Sequence, residues 1–220
     1  LKNSFDQQIC KGKFMQNERV RTKITAKRGD NLCAAADEIV TAKKGSKVYA
    51  ASGSIVFARS GSFVTAGKGS QVYASEGSTV ITESGCTVIA DAGSLVVANA
   101  GVTVIAEMAS KVIAESGSFV EAYVGSRVIA CKGSFVNAHD GSRVYAKDGS
   151  IVMATSDSKV VAWNGSTVFA LEESTVVARA GAIVFRRNGS HVRACKGAVV
   201  RDMDSTVIAL MQCFAERRKP

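Results

Sequence analysis

The chain has 220 residues, 46% of them hydrophobic and 21% charged, which excludes a disordered or collagen-like polymer and leaves a packed protein. Its 28 Lys and Arg against 19 Asp and Glu give a formal charge of +9, so anionic partners stay open without being demanded. Twenty glycines, one proline and 6% aromatic residues exclude an ordinary layered globule, whose core needs larger side chains.

Residues 1–20 follow no repeat, carry Phe5, Ile9, Phe14 and Met15, and are expected to cap the N-terminal end. They are too polar for a secretory signal, and no stretch of the chain approaches the roughly 20 apolar residues that span a bilayer. The expectation is a chain with no integral membrane segment, located in the cytoplasm or exported without a conventional signal peptide. From about Arg21 to Met211 the sequence repeats every eight residues. Val stands at position 40 and at every eighth position to 200, twenty-one times without a miss. Ala follows two residues later from Ala26 to Ala194, interrupted only by Thr82 and Arg186, and Ser usually precedes Val by two. The unit reads G-S-x-V-x-A-x-x. Ile24 and Leu32 extend the Val column backwards, and after Val200 a one-residue deletion moves the last unit to Ser205, Val207 and Ala209. Leu210 to Arg218, with Met211 and Phe214, reads as a short amphipathic turn or helix. The expected organisation is a cap at 1–20, an octapeptide array at 21–211 and a cap or tail at 212–220.

Within a unit Ser, Val and Ala share parity, so S-x-V-x-A is expected to be a five-residue strand with small side chains on one face. The remaining x-x-G is the turn, where glycine accepts positive φ; eighteen of the twenty glycines sit there. One unit cannot bury its own apolar face, so units must stack. The outward residues set the number per coil. Lys111, Arg127, Arg143 and Lys159 recur every sixteen residues, interleaved with Phe119, Phe135 and Ile151. Two units per coil follow, giving an all-β, parallel β-solenoid of two opposed parallel sheets. About 12 coils of 16 residues at roughly 4.7 Å each make a rod near 55 Å long, with ends that need caps.

The unit resembles the sixteen-residue repeats of bacterial ice-nucleation proteins, in which G-S-T-x-T-A precedes a second S-x-L-x-A half. Gly165, Ser166, Thr167, Val168, Phe169 and Ala170, followed by Ser174, Thr175, Val176, Val177 and Ala178, carry the resemblance best. It implies a β-solenoid and, through a Thr-x-Thr ladder, an ice-binding surface. Here Thr167 is paired with Phe169, Thr79 with Ile81 and Thr103 with Ile105, and no unit has Thr at both outward positions.

The two outward faces differ. One set of units presents Ile55, Phe57, Tyr73, Ile89, Ile105, Phe119, Phe135, Ile151, Met153, Phe169, Ile183 and Phe185, with Glu121 its one charge. So much contiguous apolar surface is expected to be covered, by a second copy as a face-to-face homodimer or by another protein. The other set presents Lys47, Lys111, Arg127, Arg143, Lys159 and Arg193 and no acidic residue. These rungs either track an anionic polymer (nucleic acid, acidic glycan or membrane headgroups) or keep a stacked face soluble.

For chemistry the sequence offers little. His139 and His191 lie in different units with no evident nucleophile or carboxylate partner, and Asp140, Asp148 and Asp157 are too few for a calcium-binding roll. Cysteines at 10, 33, 86, 131, 195 and 213 show no C-x-x-C spacing, so no metal, no cofactor and a reducing compartment are expected. Arg186, inside the Ala column, is expected either to be buried with a partner or to mark an outward bend of its strand. The function expected first is a non-enzymatic structural or scaffolding solenoid that presents its flat apolar face. An anion-binding module comes second and ice binding third.

Overall fold

A computed structural model describes residues 22–205, 207 and 208. Twenty-three strands of four residues run from β1 (Lys23–Ala26) to β23 (Val199–Asp202), each starting eight residues after the last. Odd-numbered strands build a twelve-stranded sheet and even-numbered strands an eleven-stranded one. Pairing is parallel throughout, with partners sixteen residues apart, as in Lys111 with Arg127 and Phe119 with Phe135. The chain is therefore the expected two-sheet β-solenoid, eleven coils and one further strand in the described residues.

All but five of the strands read x-V-x-A, with Val and Ala turned inward. From Val40 to Val184 every Val of the column is at most 1% exposed. Sheets pack about 10 Å apart, and a core of Val, Ala and Ser fills such a gap with no large side chain. Each buried Val contributes roughly 1.5–3 kcal/mol, so the rod is stabilised by many equal small steps. Thr82 takes an Ala place with its hydroxyl donating to the Val97 carbonyl at 3.4 Å.

The strands are four residues long, not five, because Ser belongs to the turn. The Ser46 N–H donates to the Lys43 carbonyl at 2.9 Å, and its hydroxyl donates to the same oxygen at 2.7 Å. The residue before the Ser position, which is Ser in sixteen of the twenty-two units, has positive φ in every unit from 29 to 197, as the third position of a type II turn requires. Eighteen of these are glycines; the others are Asp37, Ala109, Asp157 and Glu173, at φ between 54° and 61°.

The interior opens over the last coils. Arg186 is half-exposed, not buried, and its Nε donates to Asp202 Oδ1 at 2.7 Å, one coil on in the same column. The shifted unit suggested at Ser205 and Val207 is not a strand. Asp204 caps a helical turn there, accepting from Val207 N at 2.9 Å and Ile208 N at 3.1 Å. The expected caps at 1–20 and 212–220 lie outside the described residues. No helix among the described residues is long and apolar enough to cross a membrane.

Candidate functional site

A sixteen-residue register places residues one coil apart side by side, so surface chemistry is organised in columns along the rod. All twelve apolar positions named above lie on the twelve-stranded sheet. Their rings stack along it: Phe57 on Tyr73 with centroids 5.0 Å apart, Phe119 on Phe135 at 5.6 Å, and Phe169 on Phe185 at 5.4 Å. Stacking corrects one expectation. Phe135 and Phe169 are only 2% and 8% exposed, so column neighbours already cover them. Phe57, Tyr73 and Ile183 remain exposed, at 37%, 39% and 39%. The sheet also extends past the expected face, with Lys23 on β1 and Arg201 on β23, so a cation stands near each end.

The one carboxylate in the middle of this face is tied down. Glu121 Oε1 accepts from Asn137 Nδ2 at 2.8 Å, and Oε2 lies 2.6 Å from His139 Nε2. The His139 ring stacks on Tyr123 with centroids 4.7 Å apart. His139 thus has the carboxylate partner that the sequence did not disclose. Tyr123 and Asn137 were findable, since each lies sixteen residues from a member of the cluster. Glu121 and His139 are eighteen apart and meet diagonally.

On the eleven-stranded sheet, Lys47, Lys111, Arg127, Arg143, Lys159 and Arg193 are all exposed. Four of them stand on consecutive rungs, Lys111 beside Arg127, Arg127 beside Arg143 and Arg143 beside Lys159. Lys47 pairs with Asn31 and Phe63, and Arg193 with Val177, so these two stand apart from the run. No outward strand position on this sheet carries Asp or Glu. The turns hold further exposed groups that the strand pattern did not single out: Met108, Tyr123 and Val124, and Trp163 under the Arg179 guanidinium at 4.1 Å.

Threonine columns never exceed two rungs within these sheets, Thr25 with Thr41 and Thr87 with Thr103. Among the described residues no group of three or more His, Cys, Asp or Glu gathers where it could hold a metal ion. Cys86 occupies a Ser place in the interior with its thiol 3.2 Å from the Gly67 carbonyl, and burial pushes its pKa up.

No protein-family model and no curated protein matches the chain. Among solved structures it is similar to a TibC-catalysed, hyper-glycosylated TibA fragment, at 14% identity and a TM-score of 0.40, over 84% of this chain and 92% of that one.

Proposed function

We propose that the chain is a non-enzymatic structural scaffold that pairs face to face with a second copy through its twelve-stranded sheet. The observation that carries this reading is the outward surface of that sheet from Ile39 to Phe185. Its aromatic rings are stacked flat, and its one charge, Glu121, is already held by Asn137 and His139. The ten strands from β3 to β21 make a face about 43 Å by 15 Å, roughly 650 Å². That lies at the lower end of the roughly 600–1,000 Å² per partner of a standard stable interface. Charge placement favours two layers and no more: pairing the apolar faces leaves both cationic sheets outward, where like charge opposes a third.

Light-scattering chromatography tests the reading. Wild type is expected at twice its 23.0 kDa chain mass. The Phe57→Lys, Ile183→Lys double variant alters two exposed rungs only and is expected to run as a folded single chain. Wild type at single-chain mass, or a variant that keeps the doubled mass, overturns the pairing.

A further inference from the structure

Four consecutive strands of the eleven-stranded sheet, β12 (Lys111–Ala114), β14 (Arg127–Ala130), β16 (Arg143–Ala146) and β18 (Lys159–Ala162), each begin with a cation. In-register pairing puts these cations in one straight column. Rungs are about 4.8 Å apart, so four charges occupy roughly 14 Å. All four are exposed, and none belongs to an ion pair formed among the described residues.

Solubility alone does not explain such a column. Like charges directly opposite on neighbouring strands destabilise a sheet, whereas alternating Lys and Glu rungs keep a face equally wet and attract one another. The turns of this protein do mix signs, with Glu115, Lys132, Lys147 and Asp148 on one edge of the same coils. The sheet face does not. Its repulsion is relieved when a row of anions lies along it.

A second column runs beside the first. Ile113, Ile129, Tyr145 and Val161 stand two residues further along the same strands, about 6.6 Å away. Three of them are half-buried and level with the sheet; Tyr145 stands 43% exposed. The strip is therefore one cationic lane and one apolar lane, straight, parallel and evenly spaced.

We propose that this strip binds a linear acidic polysaccharide. Its carboxylate or sulfate groups lie on Lys111, Arg127, Arg143 and Lys159, and the apolar faces of its sugar rings lie over the second lane, with Tyr145 as the stacking platform. Single-stranded nucleic acid uses an aromatic platform for successive bases, and the lane holds one aromatic. A surface that docks into a bilayer presents protruding apolar side chains beside its cations, and three of the four here do not protrude. A linear chain with one anion per sugar matches both the straightness and the two-lane division.

The test measures binding of the full chain to polygalacturonate, to poly(dT) and to phosphatidylserine-containing vesicles over a range of salt. Polygalacturonate is expected to bind most tightly, with log affinity falling linearly with log salt. Arg127→Gln with Arg143→Gln removes two of the four rungs; affinity is expected to drop about tenfold or more and the salt slope to fall by about half. Tyr145→Ala is expected to weaken binding severalfold and leave the slope unchanged. Lys47→Gln with Arg193→Gln removes the same charge outside the run and is expected to change affinity by about twofold or less. The arginine pair is expected to melt no lower than wild type, because it lifts the rung repulsion, and to keep the wild-type solution mass, because it lies on the sheet opposite the pairing face. Tighter binding to poly(dT) or to vesicles overturns the proposal. So do equal losses in the two charge pairs and the absence of polygalacturonate binding.

Discussion

Replacing Ala109 by glycine is expected to stabilise the solenoid. Ala109 sits at φ 59°, in a column where eighteen of twenty-two residues are glycine. A left-handed conformation costs an L-residue roughly 1–2 kcal/mol, and glycine does not incur it. Glycine returns about 0.4–1 kcal/mol to the unfolded chain as entropy, so the net gain for Ala109→Gly is about 0.5–1 kcal/mol. For a chain of this length that corresponds to a rise of about 1–4 °C in Tm. The reverse change isolates the same term: a Cβ built on Gly101, at φ 69°, meets nothing within 4 Å, so Gly101→Ala adds backbone strain and no clash with its surroundings. It is expected to lose about what Ala109→Gly gains. Thermal and urea unfolding followed by circular dichroism read both. A destabilised Ala109→Gly, or a Gly101→Ala indistinguishable from wild type, refutes the backbone argument.

The interior hydroxyls divide into two groups. Ser134 donates to the Cys131 carbonyl at 2.6 Å, whereas the buried hydroxyl of Ser110 has no partner among the described residues. Ser134→Ala is expected to cost about 1 kcal/mol and Ser110→Ala to be neutral or stabilising, as urea midpoints would report; equal costs would count against the distinction. Cys86 links stability to alkaline pH. Burial raises its pKa above the ordinary 9.0, the nearby Glu83 charge adding and backbone hydrogen bonds opposing, so the folded chain holds this proton after the unfolded chain has released it. That contribution is complete below pH 9.0 and lost as pH rises through the folded value. Cys86→Ser, which restores the residue of the repeat, is expected to lose less stability than wild type between neutral and alkaline pH; parallel curves would refute it.

Strands, turns and the two-sheet coil were legible because small residues recur at fixed parity. The Val column placed the interior, and the alternation of Lys111, Phe119, Arg127 and Phe135 every eight residues separated the sheets. What escaped depends on contacts between columns. Phe135 is covered because Phe119 and Ile151 flank it on neighbouring rungs, an effect of side-chain size that a list of outward positions does not hold. The Glu121 and His139 contact runs diagonally, one coil and two residues apart, and so belongs to no column. Ser205 and Val207 keep the spacing inside a unit, one residue out of phase with the repeat, yet Asp204 offers its carboxylate to the chain ahead and a helical turn forms instead. The six cations were all foreseen on one face. Only the pairing register shows that four of them form an unbroken run.

The interior repeats every eight residues, but the surface repeats every sixteen. Excising any single octad would leave every downstream Val and Ala in an interior column, so the interior would register no defect. Every downstream strand would nonetheless cross to the opposite sheet; a cut between β11 and β14, for example, would put the run from Arg127 onward in the column that holds Thr87 and Thr103. Losing or gaining a whole coil only changes the rod's length, by about 4.8 Å. The protein can thus be lengthened in steps of one size without altering what it displays, while half that step exchanges its two faces at a seam that folding itself would not reject.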